Sequence, residues 1–165
     1  MIKLNLTFSE TVEVSPGTAG GTISVLVVQT GVPVYQVIGT GGALQNIVTS
    51  QNVLKGQPLY VSRSNGLAGV ADAAVYTQSF VVGFANADTL SGFAAPVTNG
   101  VCTLTDWTSI AGTATLSAGQ PYFLATGGGI TLTAPDKSTA QALVCIGTAI
   151  TTATLDFDPD QPILL

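Results

Sequence analysis

Apolar residues at the start of the chain fall on alternate positions. Ile2, Leu4, Leu6, Phe8, Val12 and Val14 share one parity, with Lys3, Asn5, Thr7, Ser9, Thr11 and Glu13 between them. A period of two predicts a strand with one apolar face, bent where Glu10 interrupts that face and ended by Ser15-Pro16-Gly17 and Gly20-Gly21. Thr22 to Val28 is nearly continuous in β-branched and apolar residues, the pattern of a strand buried on both faces. Val34 to Ile38 predicts a shorter strand, Gly39 to Gly42 a loop, and Ala43 to Val48 a further strand. Beyond it, apolar runs and turn residues alternate at the spacing of sandwiches and barrels. Asn65-Gly66 and Asn99-Gly100 predict type I′ hairpin turns, because this pair tolerates two positive φ angles; Thr126 to Gly129 predicts a turn built on glycine. Thr113 to Leu116 and Ile130 to Thr133 alternate, which predicts strands with outward threonines. A helical period is missing, although Ala71 to Tyr76 has room for one turn. The expected fold is all-β, a sandwich or barrel-like.

Two stretches carry nearly the same pattern. Gly56-Gln57-Pro58-Leu59-Tyr60-Val61, a turn at Asn65-Gly66 and Val81-Val82-Gly83-Phe84-Ala85 make the first; Gly119-Gln120-Pro121-Tyr122-Phe123-Leu124, the glycines at 127–129 and Cys145-Ile146-Gly147-Thr148-Ala149 make the second. The openings match at a shift of 63 residues and the closings at 64, so one residue has slipped between them. The organisation this implies is an N-terminal region of strands, or an arm, over residues 1–50, followed by a duplicated β region over 51–165, with related units at about 54–97 and 116–160. Whether the units form separate lobes or one continuous domain is open at this level.

Charge changes the picture most. The chain has 165 residues, 46% of them hydrophobic, but only 8% are charged and none is histidine, against about 25% charged in ordinary soluble domains. Its polar surface must therefore be Thr, Ser, Asn, Gln and backbone, which is cheap to dehydrate because no ion has to leave water. Such a surface is expected to lie against other protein chains. A net charge of −5 with only Lys3, Lys55, Arg63 and Lys137 as cations excludes a surface that tracks phosphates, so no nucleic-acid partner is expected. The most apolar run, Ile23 to Ile38, is broken by Gln29, Gly31, Pro33 and Gln36; it falls short of the roughly 20 clean residues of a membrane helix. The alternating N-terminus lacks the continuous apolar region of a secretion signal.

Candidate chemistry is sparse. Without histidine there is no Ser-His-Asp or Cys-His arrangement and no HExxH zinc site. Cys102 and Cys145 have no CxxC spacing and sit in apolar runs, so they are read as buried free thiols, with a disulfide as the alternative if their strands are neighbours. Asp72, Asp88, Asp106 and Asp136 lie beside turns, where aspartate usually bonds nearby amides. Asp156, Asp158 and Asp160 alternate, but Gln161 stands where a calcium-binding loop needs glycine. No catalytic residue, cofactor or metal is expected, and the protein is read as a non-enzyme. Trp107 is a candidate sugar-stacking platform if exposed, or an anchor of a core or interface.

The stretches LKGQPLYVSRSNGLAGVADA…FVVGFA, from Leu54 to Ala85, and LSAGQPYFLATGGGITLTAP…VCIGTA, from Leu116 to Ala149, resemble the decoration, or cement, proteins of tailed-bacteriophage heads. The resemblance covers somewhat over half of the chain, and related β-modules recur in head fibres and tail appendages. It implies a small β-protein, commonly a homotrimer, that binds the major capsid protein on the outside of the virion and stabilises the lattice by bridging subunits. Such a protein is made in the host cytoplasm, and no catalytic residues come with the family. The alternative is a receptor- or glycan-binding domain of a head fibre or tail appendage, which predicts exposed aromatics at Trp107 and Tyr76. Ile2, Leu4, Leu6 and Phe8 are candidate contact residues, since their strand could pair with a neighbour's sheet edge or belong to its own sheet. Trp107 and the apolar run Ile163, Leu164 and Leu165, expected in the core or against a neighbour, complete the candidate interface.

Overall fold

Glycines with positive φ recur at short intervals, and most of them, Gly56, Gly66, Gly92, Gly112, Gly119 and Gly127 among them, lie in the turns where an extended strand has ended. The computed structural model of the chain describes residues 45–165. In the first half lie β1 (Gln45–Val48), β2 (Pro58–Val61), β3 (Ala68–Val70), β4 (Val81–Ala85) and β5 (Ala94–Thr98). In the second half lie β6 (Gly100–Thr103), β7 (Pro121–Leu124), β8 (Ile130–Thr131), β9 (Ala142–Leu143), β10 (Cys145–Ala149), β11 (Thr154–Phe157) and β12 (Ile163–Leu164). Among the described residues, helix is limited to a 3-10 turn at Tyr76–Gln78 and one α-turn, α1, at Thr108–Ala111.

The strands form two five-stranded antiparallel sheets of order β1-β5-β4-β2-β3 and β6-β11-β10-β7-β8, with β9 and β12 as a separate pair. The fold is an all-β sandwich. A single parallel bridge, Thr49 to Ala68, brings the ends of the first sheet toward each other, but neither sheet closes into a barrel among the described residues.

Replacing β1, β2, β3, β4 and β5 by β6, β7, β8, β10 and β11 converts one sheet order into the other. The repeat therefore comprises the whole sheet, including a first strand that the sequence similarity does not reach. Its details repeat too. Gly56 N donates to Ala85 O at 2.8 Å and Ala85 N to Gln57 O at 3.0 Å; Gly119 N donates to Ala149 O at 2.7 Å and Ala149 N to Gln120 O at 3.0 Å. Each Gly-Gln-Pro turn thus delivers its strand beside the closing strand of its own unit.

The halves are not separate lobes: both sheets belong to one compact unit, Ile38–Leu165. The larger apolar cluster joins Ala71, Ala73 and Phe84 of the first half to Trp107, Tyr122, Leu124, Ile146 and Phe157 of the second. Phe84 and Phe157 meet at 5.0 Å between ring centroids, and burying each such ring stabilises the fold by about 1.5–3 kcal/mol. A smaller cluster of Val53, Leu59, Ala68, Ala85, Ala95 and Val97 fills the first unit alone. Backbone bonds close the seam, with Ala73 N donating to Ala125 O at 3.1 Å and Ala142 N to Ala73 O at 3.1 Å. Asp72 Oδ1 accepts from Ala74 N at 2.8 Å and from Gly127 N at 2.9 Å, so one carboxylate oxygen ties a turn of the first half to the glycine loop of the second.

Several local expectations are corrected. No described residue other than glycine has positive φ, so neither Asn65 nor Asn99 takes part in a type I′ turn. Asn65-Gly66 lies in a longer loop in which Ser62 N donates to Leu67 O at 2.9 Å, and Asn99-Gly100 joins the two sheets instead of closing a hairpin. Thr113 to Thr115 is a bend, not a strand: Gly112 caps α1 in the left-handed region, and the chain folds back so that Trp107 N reaches Ala114 O at 3.1 Å. The strand at Ile130 stops after Thr131, where the Thr131 hydroxyl accepts from Thr133 N at 3.2 Å and draws the backbone out of the ladder.

Candidate functional site: an uncharged contact surface

The four turn aspartates are all hydrogen-bonded, two within their own turns and two to distant loops. Asp72 holds Gly127 as described, and Asp88 Oδ1 accepts from Lys55 N at 2.7 Å. Asp106 Oδ1 accepts from the Thr108 hydroxyl at 2.6 Å and from Thr108 N at 2.8 Å, and these bonds hold its carboxyl below the usual carboxylate range. Asp136 is held low in the same way by the hydroxyl and amide of Ser138. Asp106 and Asp136 are thus carboxylates kept ionised to stiffen turns, the opposite of the raised carboxyl that a general acid needs. Among the described residues no three His, Cys, Asp or Glu side chains gather into a group that could hold a metal ion.

Cys102 and Cys145 are both free thiols. Cys102 lies on β6 and Cys145 on β10, with β11 between them. Two strand spacings amount to roughly 9–10 Å, beyond the roughly 7 Å limit between the Cα atoms of a disulfide. Burial pushes the Cys102 thiol up to about 11, against a smaller opposing effect of the Lys55 charge. At pH 8 roughly one Cys102 in a thousand is then a thiolate, whereas Cys145 is only half-buried. Alkylation of the native protein followed by peptide mass mapping is expected to modify Cys145 first and Cys102 only after unfolding. Equal rates at both would contradict the packing around Cys102.

Trp107 is corrected as a contact residue. It is 0% exposed, and its Nε1 donates to Ala153 O at 3.0 Å, so it anchors the core and offers no platform to a sugar. Tyr76 is half-buried, edge-on to Phe80 at 5.3 Å, and Arg63 sits over the Phe80 ring at 5.2 Å. Of the two places expected for Ile163, Leu164 and Leu165, the core or a neighbour, the core is corrected. Ile163 and Leu164 are 62% and 65% exposed on β12, which pairs with β9. Ile2, Leu4, Leu6 and Phe8 lie outside the described residues.

Sequence reasoning missed further exposed apolar side chains. Val48, Leu54, Leu90, Phe93, Val101, Leu132 and Ile150 are all exposed. Leu90 and Phe93 lie in a turn-rich stretch, Asp88-Thr89-Leu90-Ser91-Gly92-Phe93, and an apolar pair inside turn residues was the available signal. Around them the surface is mostly uncharged, with Lys55, Arg63 and Lys137 as the only side-chain cations in the described part. No helix among the described residues is long and apolar enough to cross a membrane. Compared with protein families and with curated proteins, the sequence matches none.

Proposed function

We propose that this protein is a virion structural protein, a capsid decoration or cement protein that binds the outside of a phage head and stabilises the lattice by bridging subunits. Its partners are the major capsid protein and further copies of itself, with a trimer as the assembly. The observation that carries the reading is the pairing of a surface nearly empty of ions with large apolar side chains left exposed on a stiff, duplicated β scaffold. Little desolvation opposes contact by such a surface, and many modest contacts held at fixed geometry add through effective concentration. Doubling the sheet suits this task, since one rigid body then presents contact surfaces from two related units. The glycan-binding alternative predicts exposed aromatics at Trp107 and Tyr76, whereas the Trp107 ring lies in the core and Tyr76 is half-buried.

Cosedimentation tests the reading. Purified protein mixed with heads assembled from the major capsid protein of the same genome is expected to pellet saturably, and light scattering is expected to give the mass of a trimer. Protein that stays wholly in the supernatant at every head concentration would overturn the assignment.

A further inference from the structure

The two units differ most informatively where their closing strands are joined. Residues 150–153 connect β10 to β11, whereas the equivalent connection from β4 to β5 takes residues 86–93. The longer connection carries Leu90 and Phe93, 64% and 66% exposed, and Val48 beside them on β1 pairs with Ala94. Neither Leu90 nor Phe93 belongs to either apolar cluster of the fold, so these two side chains do nothing for the core.

The connection is nevertheless held firmly. The hydroxyl of buried Thr49 donates toward Leu90 O at 3.0 Å and Phe93 O at 3.1 Å. Thr49 N donates to Phe93 O at 2.9 Å, and Gly92 N to Thr49 O at 2.8 Å. Ser91 N reaches Asn52 Oδ1 at 2.9 Å, and the Ser91 hydroxyl reaches Ser50 O at 3.0 Å. A loop pinned on both flanks presents its apolar side chains with little conformational entropy left to lose on binding.

We propose that Leu90 and Phe93, with Val48 at their base, form a preformed apolar knob that seats in an uncharged apolar pocket of a neighbouring capsid subunit. The partner's chemistry follows from the knob's surroundings, which are Thr49, Ser50, Asn52, Thr89 and Ser91, with Asp88 already bonded to the Lys55 amide. Of the three side-chain cations in the described part only Lys55 adjoins the knob, and one cation beside the Asp88 carboxylate is too little to hold an anionic lipid surface or a phosphate. Its size sets the setting. A few side chains cover far less than the roughly 800 Å² per partner that a stable two-body interface buries. The knob therefore suits a neighbour held in register by other contacts, as on a lattice, and not a freely diffusing partner. This inference rests on the decoration-protein reading.

The test is cosedimentation with the same assembled heads, using the Leu90→Ser, Phe93→Ser double variant, Phe93→Ser alone, and Ile150→Ser from the shorter connection as a control. Both knob variants are expected to keep the wild-type melting temperature and solution mass, because their side chains already face solvent. Affinity for heads is expected to fall about 30-fold or more in the double variant, the scale of an interface hot spot, and to change little with Ile150→Ser. Undiminished binding by the knob variants, or an equal loss with Ile150→Ser, would overturn the knob alone. A changed solution mass would reassign it to contacts between copies. Wild-type protein that fails to bind would sink the decoration reading and the knob with it.

Discussion

Gly147→Ala is expected to lower the unfolding free energy by about 4 kcal/mol or more, a large share of the roughly 5–15 kcal/mol that holds a domain folded. Gly147 has φ +148, and a Cβ there would run into the carbonyl oxygen of Asp156 on the neighbouring strand. Strand β11 lies in mid-sheet, hydrogen-bonded on both sides, so that carbonyl cannot retreat without breaking a ladder. Gly83 is the equivalent in the first unit, with φ +158 and the Thr98 carbonyl oxygen 2.6 Å from an added Cβ. Both glycines sit at a register shift. Gly83 and Val81 pair with the consecutive residues Leu59 and Tyr60, and Gly147 and Cys145 pair with Tyr122 and Phe123. Each unit therefore carries the same bulge at the same place, and glycine is required there because the bulge presses its backbone against the next strand. Gly119→Ala gives the contrast. Its φ is +76 with nothing within 4 Å, so only left-handed strain applies, about 1 kcal/mol. Urea denaturation of the three variants measures the order. A Gly147→Ala protein as stable as Gly119→Ala would show that the bulge relaxes freely.

This pair of glycines also shows what the sequence made legible. The shared Val-Gly-Phe-Ala and Ile-Gly-Thr-Ala closings could be seen without coordinates because steric demand at the bulge keeps glycine in both units. The Gly-Gln-Pro openings were legible for a similar reason, since the same backbone bonds recur around both turns. The strand at Ala43 to Val48 was legible too, but its equivalence to Gly100–Thr103 was not, because Gln45–Val48 and Gly100–Thr103 occupy the same place in the two sheets with no common residue pattern. An outer strand bonded to one neighbour tolerates almost any side chain. Asn-Gly misled for a local reason. The pair permits a type I′ turn but does not demand one, and in both places only the glycine adopts positive φ. Of the candidate surface, Ile163 to Leu165 could be named from apolarity alone. Leu90 and Phe93 could not, because an apolar pair within a turn reads equally as buried or exposed until the bonds from Thr49 fix which way it faces.

Trp107→Ala is expected to cost about 3–5 kcal/mol by removing the largest fully buried side chain and leaving a cavity in the cluster shared by both halves. Trp107→Phe separates the indole's hydrogen bond from most of its bulk. It removes one of two donors to the Ala153 carbonyl, which keeps its bond from Leu104 N at 3.0 Å, a loss of about 1 kcal/mol, so the two substitutions bracket packing and polar contributions at one site. Trp107 also fixes the turn that follows it, accepting from Ile110 N at 2.9 Å and Ala111 N at 2.7 Å while its own N–H reaches Ala114 O. These bonds use backbone atoms and survive the substitution, so α1 is expected to persist in Trp107→Phe. Calorimetry supplies the melting temperatures. Head cosedimentation well below them separates the two roles this residue could have: an anchor of the core loses stability and keeps its partner, whereas a contact residue keeps its stability and loses its partner. For Trp107 the first outcome is expected in both variants, since an indole sealed between the two halves can reach a capsid or a sugar only after the protein has unfolded.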